Sequence, residues 1–162
     1  VTESTLTAPA ASATGEPATG TDAPVLHTHT VRLGYADTDP AGILYYAAWF
    51  PMMERLTSEF FLLQGLRQDT LSERFGWWMV SRATECEYLA AARLHDQVRI
   101  ELRIGRIGRS SFRFAFHMIR IDDDVLVARA ATTIVTVSPD QDRVEIPTDL
   151  RAHLTTWATV GA

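Results

Sequence analysis

The chain has 162 residues, 46% of them apolar, with one cysteine and a formal charge of −5. That length buries one sizeable core and makes one domain the natural expectation. A single thiol, Cys86, excludes an intramolecular disulfide framework and a cysteine-rich zinc site, and the acidic balance argues against wholesale nucleic-acid binding while leaving room for a local basic stripe that holds a compact phosphorylated ligand.

Val1 to Pro24 is built almost wholly of Ala, Thr, Ser, Pro and Gly and carries no aromatic residue. Little there could offset the entropy of ordering, so residues 1–24 read as a disordered tail ahead of a single domain over residues 25–162. The tail has no basic start and no continuous apolar stretch, and no later run approaches the ~20 apolar residues a membrane span needs. A cytoplasmic protein without a membrane partner is expected. "VLHTHTVRLGY" alternates as a first or edge strand from Val25 to Tyr35, and Asp-Thr-Asp-Pro-Ala-Gly then breaks it. In the aromatic segment that follows, Trp49, Met53, Leu56, Phe60 and Leu63 recur at spacings of four and three, which predicts a helix ending near Gly65, with Phe50, Phe61 and Leu62 widening its apolar face. Pro51 falls inside this helix, so the helix either starts late or kinks there.

A polar loop, "RQDTLSERFG", leads to four segments with period-two alternation: "WWMVSRATECEYL", "QVRIELRIGRIG", "SFRFAFHMIRI" and "VLVARAATTIVTV". In the second, Val98, Ile100, Leu102 and Ile104 share one face and Arg99, Glu101 and Arg103 the other. One buried helix and one sheet long enough to wrap it make an α+β layer architecture the economical solution. Pro147 to Trp157 reads as a short C-terminal helix.

Two aspartates, Asp37 and Asp39, stand at the corner between the first strand and the helix, beside free backbone N–H groups and the positive end of the helix dipole. Asp at such a corner caps and turns by default. Chemistry needs a base or nucleophile together with donors that hold an oxyanion, and Asp39 with the amides near Tyr45 to Ala47 could supply both. The stripe "RIGRIGRSS" sets Arg103, Arg106 and Arg109 ahead of Ser110 and Ser111; it reads either as a charged hairpin edge or as a seat for phosphates. All 15 basic residues are arginine, a bias that weakens any argument from arginine alone. Trp49, Phe50, Trp77 and Trp78 are candidates for a pocket that prefers a flat acid, although aromatics at such spacings are commonly core. The five histidines show no metal-ligand spacing beyond His27-x-His29, so neither a metal nor another cofactor is expected.

"YADTDPAGILYYAAWFPMMER" resembles the pattern of the 4-hydroxybenzoyl-CoA thioesterase-like branch of the hot-dog fold: Tyr-x-Asp-Thr-Asp-x-x-Gly, aromatic residues, then a helix with a Glu-Arg pair. "TECEYLAAARLHDQVRIELRIGRIGRSSFRF" is similar to that family's strand, its Pro-Ala-Arg-x-x-Asp turn and its Arg-x-Gly-x-Ser-Ser segment. The resemblance runs from about Val31 to Val137. It implies an antiparallel sheet wrapped around one long central helix, and hydrolysis of an acyl-CoA thioester. It casts Asp39 as nucleophile or general base, the backbone amide near Tyr46 as the oxyanion donor, Gly42 as the residue that lets the chain approach, and Asp37 as structural.

Glu54 follows the family's helix glutamate and reads equally as a substrate or water contact and as a partner for Arg55 or Arg82. Tyr46 stands where many relatives carry His. The resemblance favours Arg106, Arg109, Ser110 and Ser111 as the CoA phosphate seat, while Trp49 and Trp78 stand as candidate substrate contacts on their aromatic character alone. It also implies a homodimer or a dimer of dimers. A CoA thiol with a pKa near ~8.5 leaves as a thiolate without a general acid, so one carboxylate and an oxyanion hole suffice. An acyl group on a carrier protein's pantetheine arm, and a non-catalytic acyl-CoA-binding module, are the alternative readings; a dehydratase is disfavoured by the lack of an Asp with a His a few residues on.

Overall fold

The computed structural model describes residues 23–159. The expected tail therefore lies, but for Ala23 and Pro24, outside the described residues. Five antiparallel strands form one sheet: β1 (Val25–Arg32), β2 (Trp78–Tyr88), β3 (Gln97–Ile107), β4 (Ser111–Arg120) and β5 (Val125–Val137), in the spatial order β1-β3-β4-β5-β2. Against it lie the helices α1 (Trp49–Leu63), α2 (Leu71–Phe75) and α3 (Thr148–Thr159). This is the α+β sheet-around-a-helix arrangement that the sequence implies.

The period-two alternation decides what faces the helix. Val98, Ile100, Leu102 and Ile104 of β3 and Phe112, Phe114, Phe116 and Met118 of β4 are all buried, and the register Ile100↔Met118 and Leu102↔Phe116 stacks them in rows. Trp49, Met53, Leu56, Phe60 and Phe61 of α1 close this core, each large apolar side chain contributing about 1.5–3 kcal/mol on burial. From α3, Trp157 sets its ring 4.8 Å from that of Phe60 and donates from Nε1 to Gln64 Oε1 at 3.2 Å.

Several expectations are corrected. Leu62 and Leu63 are 58% and 64% exposed rather than part of the apolar face. The helix ends just after them: Gly65 takes a φ of +75°, and Leu66 N–H reaches back to Phe61 O at 2.9 Å. The segment "RQDTLSERFG" is not a plain loop but a 3₁₀ turn (Gln68–Thr70) followed by α2, anchored by buried Leu71. Neither a late start nor a kink is needed at Pro51, because α1 begins at Trp49 after a 3₁₀ lead-in (Tyr46–Ala48) and so places the proline in its first turn.

Candidate active site

The corner between β1 and α1 is held by its own backbone. Asp37 spends its carboxylate on the turn, accepting from Gly34 N–H through Oδ2 at 2.7 Å, while its carbonyl accepts from Tyr45 N–H at 2.8 Å. Asp39 N–H donates to Ile43 O at 2.9 Å and Gly42 N–H to Asp39 O at 2.9 Å, closing a tight loop around Pro40 and Ala41. Gly42 sits at φ +71°, and a Cβ there would meet nothing within 4 Å. The left-handed backbone of the turn is itself a reason for glycine at this position. A second distant motif buttresses this loop: Leu44 N–H donates to Ala92 O at 2.7 Å, Ile43 bridges to Arg93, and Asp96 Oδ2 accepts from Arg93 N–H at 2.7 Å.

Asp39 is half-buried, and Oδ1 accepts from Ala41 N–H at 2.8 Å, so among the described residues Oδ2 has no bonding partner. Tyr45 N–H is already spent on Asp37. The N–H groups of Tyr46 and Ala47 open the 3₁₀ turn, where a helix leaves its donors without internal acceptors. Both peptide units that carry them are polarised from behind. Tyr45 O accepts from Ala48 N–H at 2.9 Å, and Tyr46 O accepts from the Tyr88 hydroxyl at 3.1 Å. Burial, with Cys86 and Tyr46 beside it, pushes the Tyr88 phenol above its ordinary value, which keeps it a donor.

A cleft of about 320 Å³ lies between α1 and the sheet. Phe50, Met53, Met79, Phe114, Phe116 and Ile134 supply its apolar walls, and Glu54, Thr57, Gln68, Ser81, Thr84 and Thr132 its polar ones. Glu54 pairs with neither Arg55 nor Arg82. Its Oε1 lies 3.0 Å from Ser58 Oγ, which lies 2.8 Å from the Gln68 amide. The atom of that amide facing Ser58 is Oε1, so the single Ser58 hydroxyl proton is shared between two acceptors, Gln68 Oε1 and Glu54 Oε1, and ties Glu54 to the wall of the cleft. Trp49 is not there: at 2% exposed it packs in the core, because it leads the buried stripe of α1. Trp78, half-buried, does not line the cleft either; its neighbour Met79 does.

The basic stripe divides. Arg103 turns back along β3 to Glu101 at 2.7 Å and to the Ala23 carbonyl. Arg106, Arg109, Ser110 and Ser111 do come together, in a second cleft of about 340 Å³ that also takes in Arg113, Thr133 and Arg143. Arg109 is held by Glu145 and Arg113 by Glu85. Among the described residues no cluster of three His, Cys, Asp or Glu could hold a metal, and no helix is long and apolar enough to cross a membrane.

Residues 33–154 match the family described as the thioesterase-like superfamily. The chain belongs to that superfamily. An acyl-CoA thioester hydrolase YbgC from Escherichia coli O6:H1 is 31% identical over 110 residues, covering 67% of this chain and 80% of the relative. An acyl-CoA thioesterase YbgC from Haemophilus influenzae is 24% identical over 123 residues, covering 75% and 89%. Among solved structures, a 1,4-dihydroxy-2-naphthoyl-CoA thioesterase from Synechocystis superposes with a TM-score of 0.71 at 18% identity, over 80% of this chain and 95% of that one. Its likeness confirms the hot-dog fold.

Within the thioesterase-like framework, three residues near the candidate sites escaped the reading of the sequence. Tyr88 gave no signal, since an aromatic at the end of a strand is ordinary. Ser58 was visible only as a polar residue on the outer face of α1. Arg143 lies beyond the last strand, 34 residues past Arg109, and nothing in its neighbourhood marks it.

Proposed function

We propose that this chain hydrolyses an acyl-CoA thioester, with Asp39 as nucleophile or general base and the Tyr46 and Ala47 N–H groups as the oxyanion hole. The reading rests above all on one observation: the corner offers a carboxylate oxygen and two N–H donors that have no partner among the described residues, on peptide units polarised from behind. Asp39 attacks the carbonyl carbon, or takes a proton from the water that does. The carbonyl oxygen gains charge against the two donors, the C–S bond breaks, and CoA leaves as a thiolate. On the nucleophile route a water then hydrolyses the acyl-Asp39 anhydride to the free acid, whereas on the base route the attacking water has already supplied the acid's oxygen. Glu54, braced through Ser58, lines the cleft between α1 and the sheet, a lining that does not include Asp39, and serves there as a polar contact for the acyl group or the water.

The cleft of about 320 Å³ stands near the lower end of the range for small-molecule sites, and half of its lining is polar. A compact, ring-sized acyl group with polar substituents suits it better than a long alkyl chain. The Arg106 and Arg109 cleft is the seat for the CoA phosphates. A homo-oligomer is supported by β2, an eleven-residue edge strand paired only with β5 among the described residues and exposed along most of its length.

The test is thiol release from benzoyl-, hydroxybenzoyl- and decanoyl-CoA by wild type and Asp39→Ala. Loss of about 10³-fold or more in kcat is expected in the variant, with the aromatic thioesters preferred by wild type. Equal activity in the two proteins would reject the role of Asp39. Trapping of an acyl-Asp39 anhydride with hydroxylamine would select nucleophile over base.

A further inference from the structure

The arginine cleft is richer in charge than the sequence stripe alone suggests, and two of its arginines are already paired. Arg106, Arg109, Arg113 and Arg143 bring four guanidinium groups to its walls. Two carboxylates answer them. Glu85 pairs with Arg113, and Glu145 accepts from Arg109 Nε at 2.7 Å and from its Nη2 through the same oxygen, Oε1. Among the described residues Arg106 and Arg143 carry no ion pair, so the cleft keeps an unbalanced positive charge.

Both walls are fixed by main-chain bonds. After β5 the chain folds back on itself, with Val137 bridged to Arg143 and Val144 N–H donating to Thr136 O at 3.0 Å. Ile146 N–H then donates to Arg109 O at 2.9 Å, which ties the Arg143–Glu145 segment to the β3–β4 hairpin. From α3, Arg151 Nη2 donates to Gly108 O at 2.9 Å and to Arg109 O at 3.1 Å. Arg143 is thereby presented beside Arg106 and Arg109 on a backbone that is already ordered, and the entropy of assembling the cleft is spent in folding rather than on binding.

We propose that Glu145 is a built-in competitor that occupies Arg109 where a ligand phosphate belongs, and that Arg143 is a further phosphate-binding residue of the same cleft. This rests on the reading of the ligand as a CoA thioester. A phosphomonoester brings more negative charge and more acceptor oxygens than one carboxylate, so it displaces Glu145 and gains Arg143 and Arg106 as well. The Arg109–Glu145 pair is 81% and 64% exposed, so it is weak and cheap to break. Its role is selectivity: a ligand with a single weak anion does not recover what the pair gives up, and a nucleotide carrying two phosphates does.

Isothermal titration with adenosine 3′,5′-bisphosphate tests the proposal through effects of opposite sign. Glu145→Gln should tighten Kd by about twofold to fivefold, the small gain expected from deleting an exposed pair, and Arg143→Ala should weaken it by about tenfold. Adenosine 5′-monophosphate should bind more weakly than the bisphosphate to wild type, and Glu145→Gln should narrow that gap. No measurable binding by wild type, an unchanged or weakened Kd in Glu145→Gln, or an unchanged Kd in Arg143→Ala would each overturn it. Thermal melts identify any misfolded variant, and Arg143→Gln then replaces Arg143→Ala. Thiol release from acyl-CoA separates this inference from the reading beneath it: the opposite-sign pair without hydrolysis leaves the nucleotide cleft standing and removes the hydrolase, whereas hydrolysis without the pair does the reverse.

Discussion

In the proposed function, the Asp39 corner and the arginine cleft would hold negative charge by contrasting means. The corner is one continuous stretch, Asp37 to Ala48, whose donors are backbone N–H groups aimed by a tight loop and a 3₁₀ turn. The cleft collects long side chains from the β3–β4 hairpin, from the strands beneath it and from the segment after β5. Backbone donors are few, rigid and dipolar, which suits a charge that exists only in a transition state. Guanidinium groups are mobile and fully charged, which suits a phosphate that is charged before, during and after the reaction. The first arrangement should therefore govern kcat, the second KM.

After the loss of kcat expected of Asp39→Ala, the next largest effect that would break this division comes from the cleft. Arg106→Ala together with Arg109→Ala should raise KM for an acyl-CoA by about tenfold to thirtyfold with little loss of kcat. The same thioester on a bare pantetheine should show no such penalty. Steady-state kinetics on the two substrates checks both statements, and a fall in kcat as large as the rise in KM would mean that the cleft takes part in positioning the thioester.

The same contrast explains what could be read in the sequence. The corner was legible because its parts are adjacent: Asp37, Asp39, Gly42 and the aromatic run fall within a dozen residues, and each type has a backbone reason for its place. The sheet was legible for a similar reason, since strict alternation in β3 and β4 leaves only one face to bury. The cleft was half legible. Arg106 and Arg109 are close in sequence, but Arg103 is drawn away by Glu101, two positions back on its own strand, and Arg143 enters only because the chain folds back after Val137. Leu62 and Leu63 misled for another reason: apolar periodicity continues to the last turn of α1, whereas burial stops at Phe61.

A smaller effect sharpens the claim that the corner works through its backbone. Tyr88→Phe removes the hydroxyl that donates to Tyr46 O and leaves the ring in place. The peptide unit carrying Ala47 N–H then loses its polarising partner, and kcat should fall by about threefold to tenfold, while KM and the binding of adenosine 3′,5′-bisphosphate stay near wild type. Pre-steady-state thiol release reads the chemical step directly. A change confined to KM would instead make Tyr88 a substrate contact.

The smallest effect belongs to neither region and should move both together. His117 is buried on the outer face of the sheet, opposite Glu101 on β3 and Arg129 on β5. Burial pushes its imidazole below the ordinary 6.5, Arg103 and Arg129 push in the same direction, and Glu101 opposes them. The folded chain therefore binds fewer protons there than the unfolded chain, and stability rises with pH through the window below 6.5. Its contribution is complete above that value, declines on acidification and levels off below the depressed folded value. Urea unfolding of wild type and His117→Gln between pH 7 and 5.5, above the range where carboxylates dominate, isolates this slope, which should be present in wild type and reduced in the variant. The corner and the cleft hang on the same five strands, so acid-induced loss of thioester hydrolysis and of nucleotide binding should track global unfolding in parallel. If one were lost well before the other in this window, a titrating group local to that region would be responsible instead of the sheet.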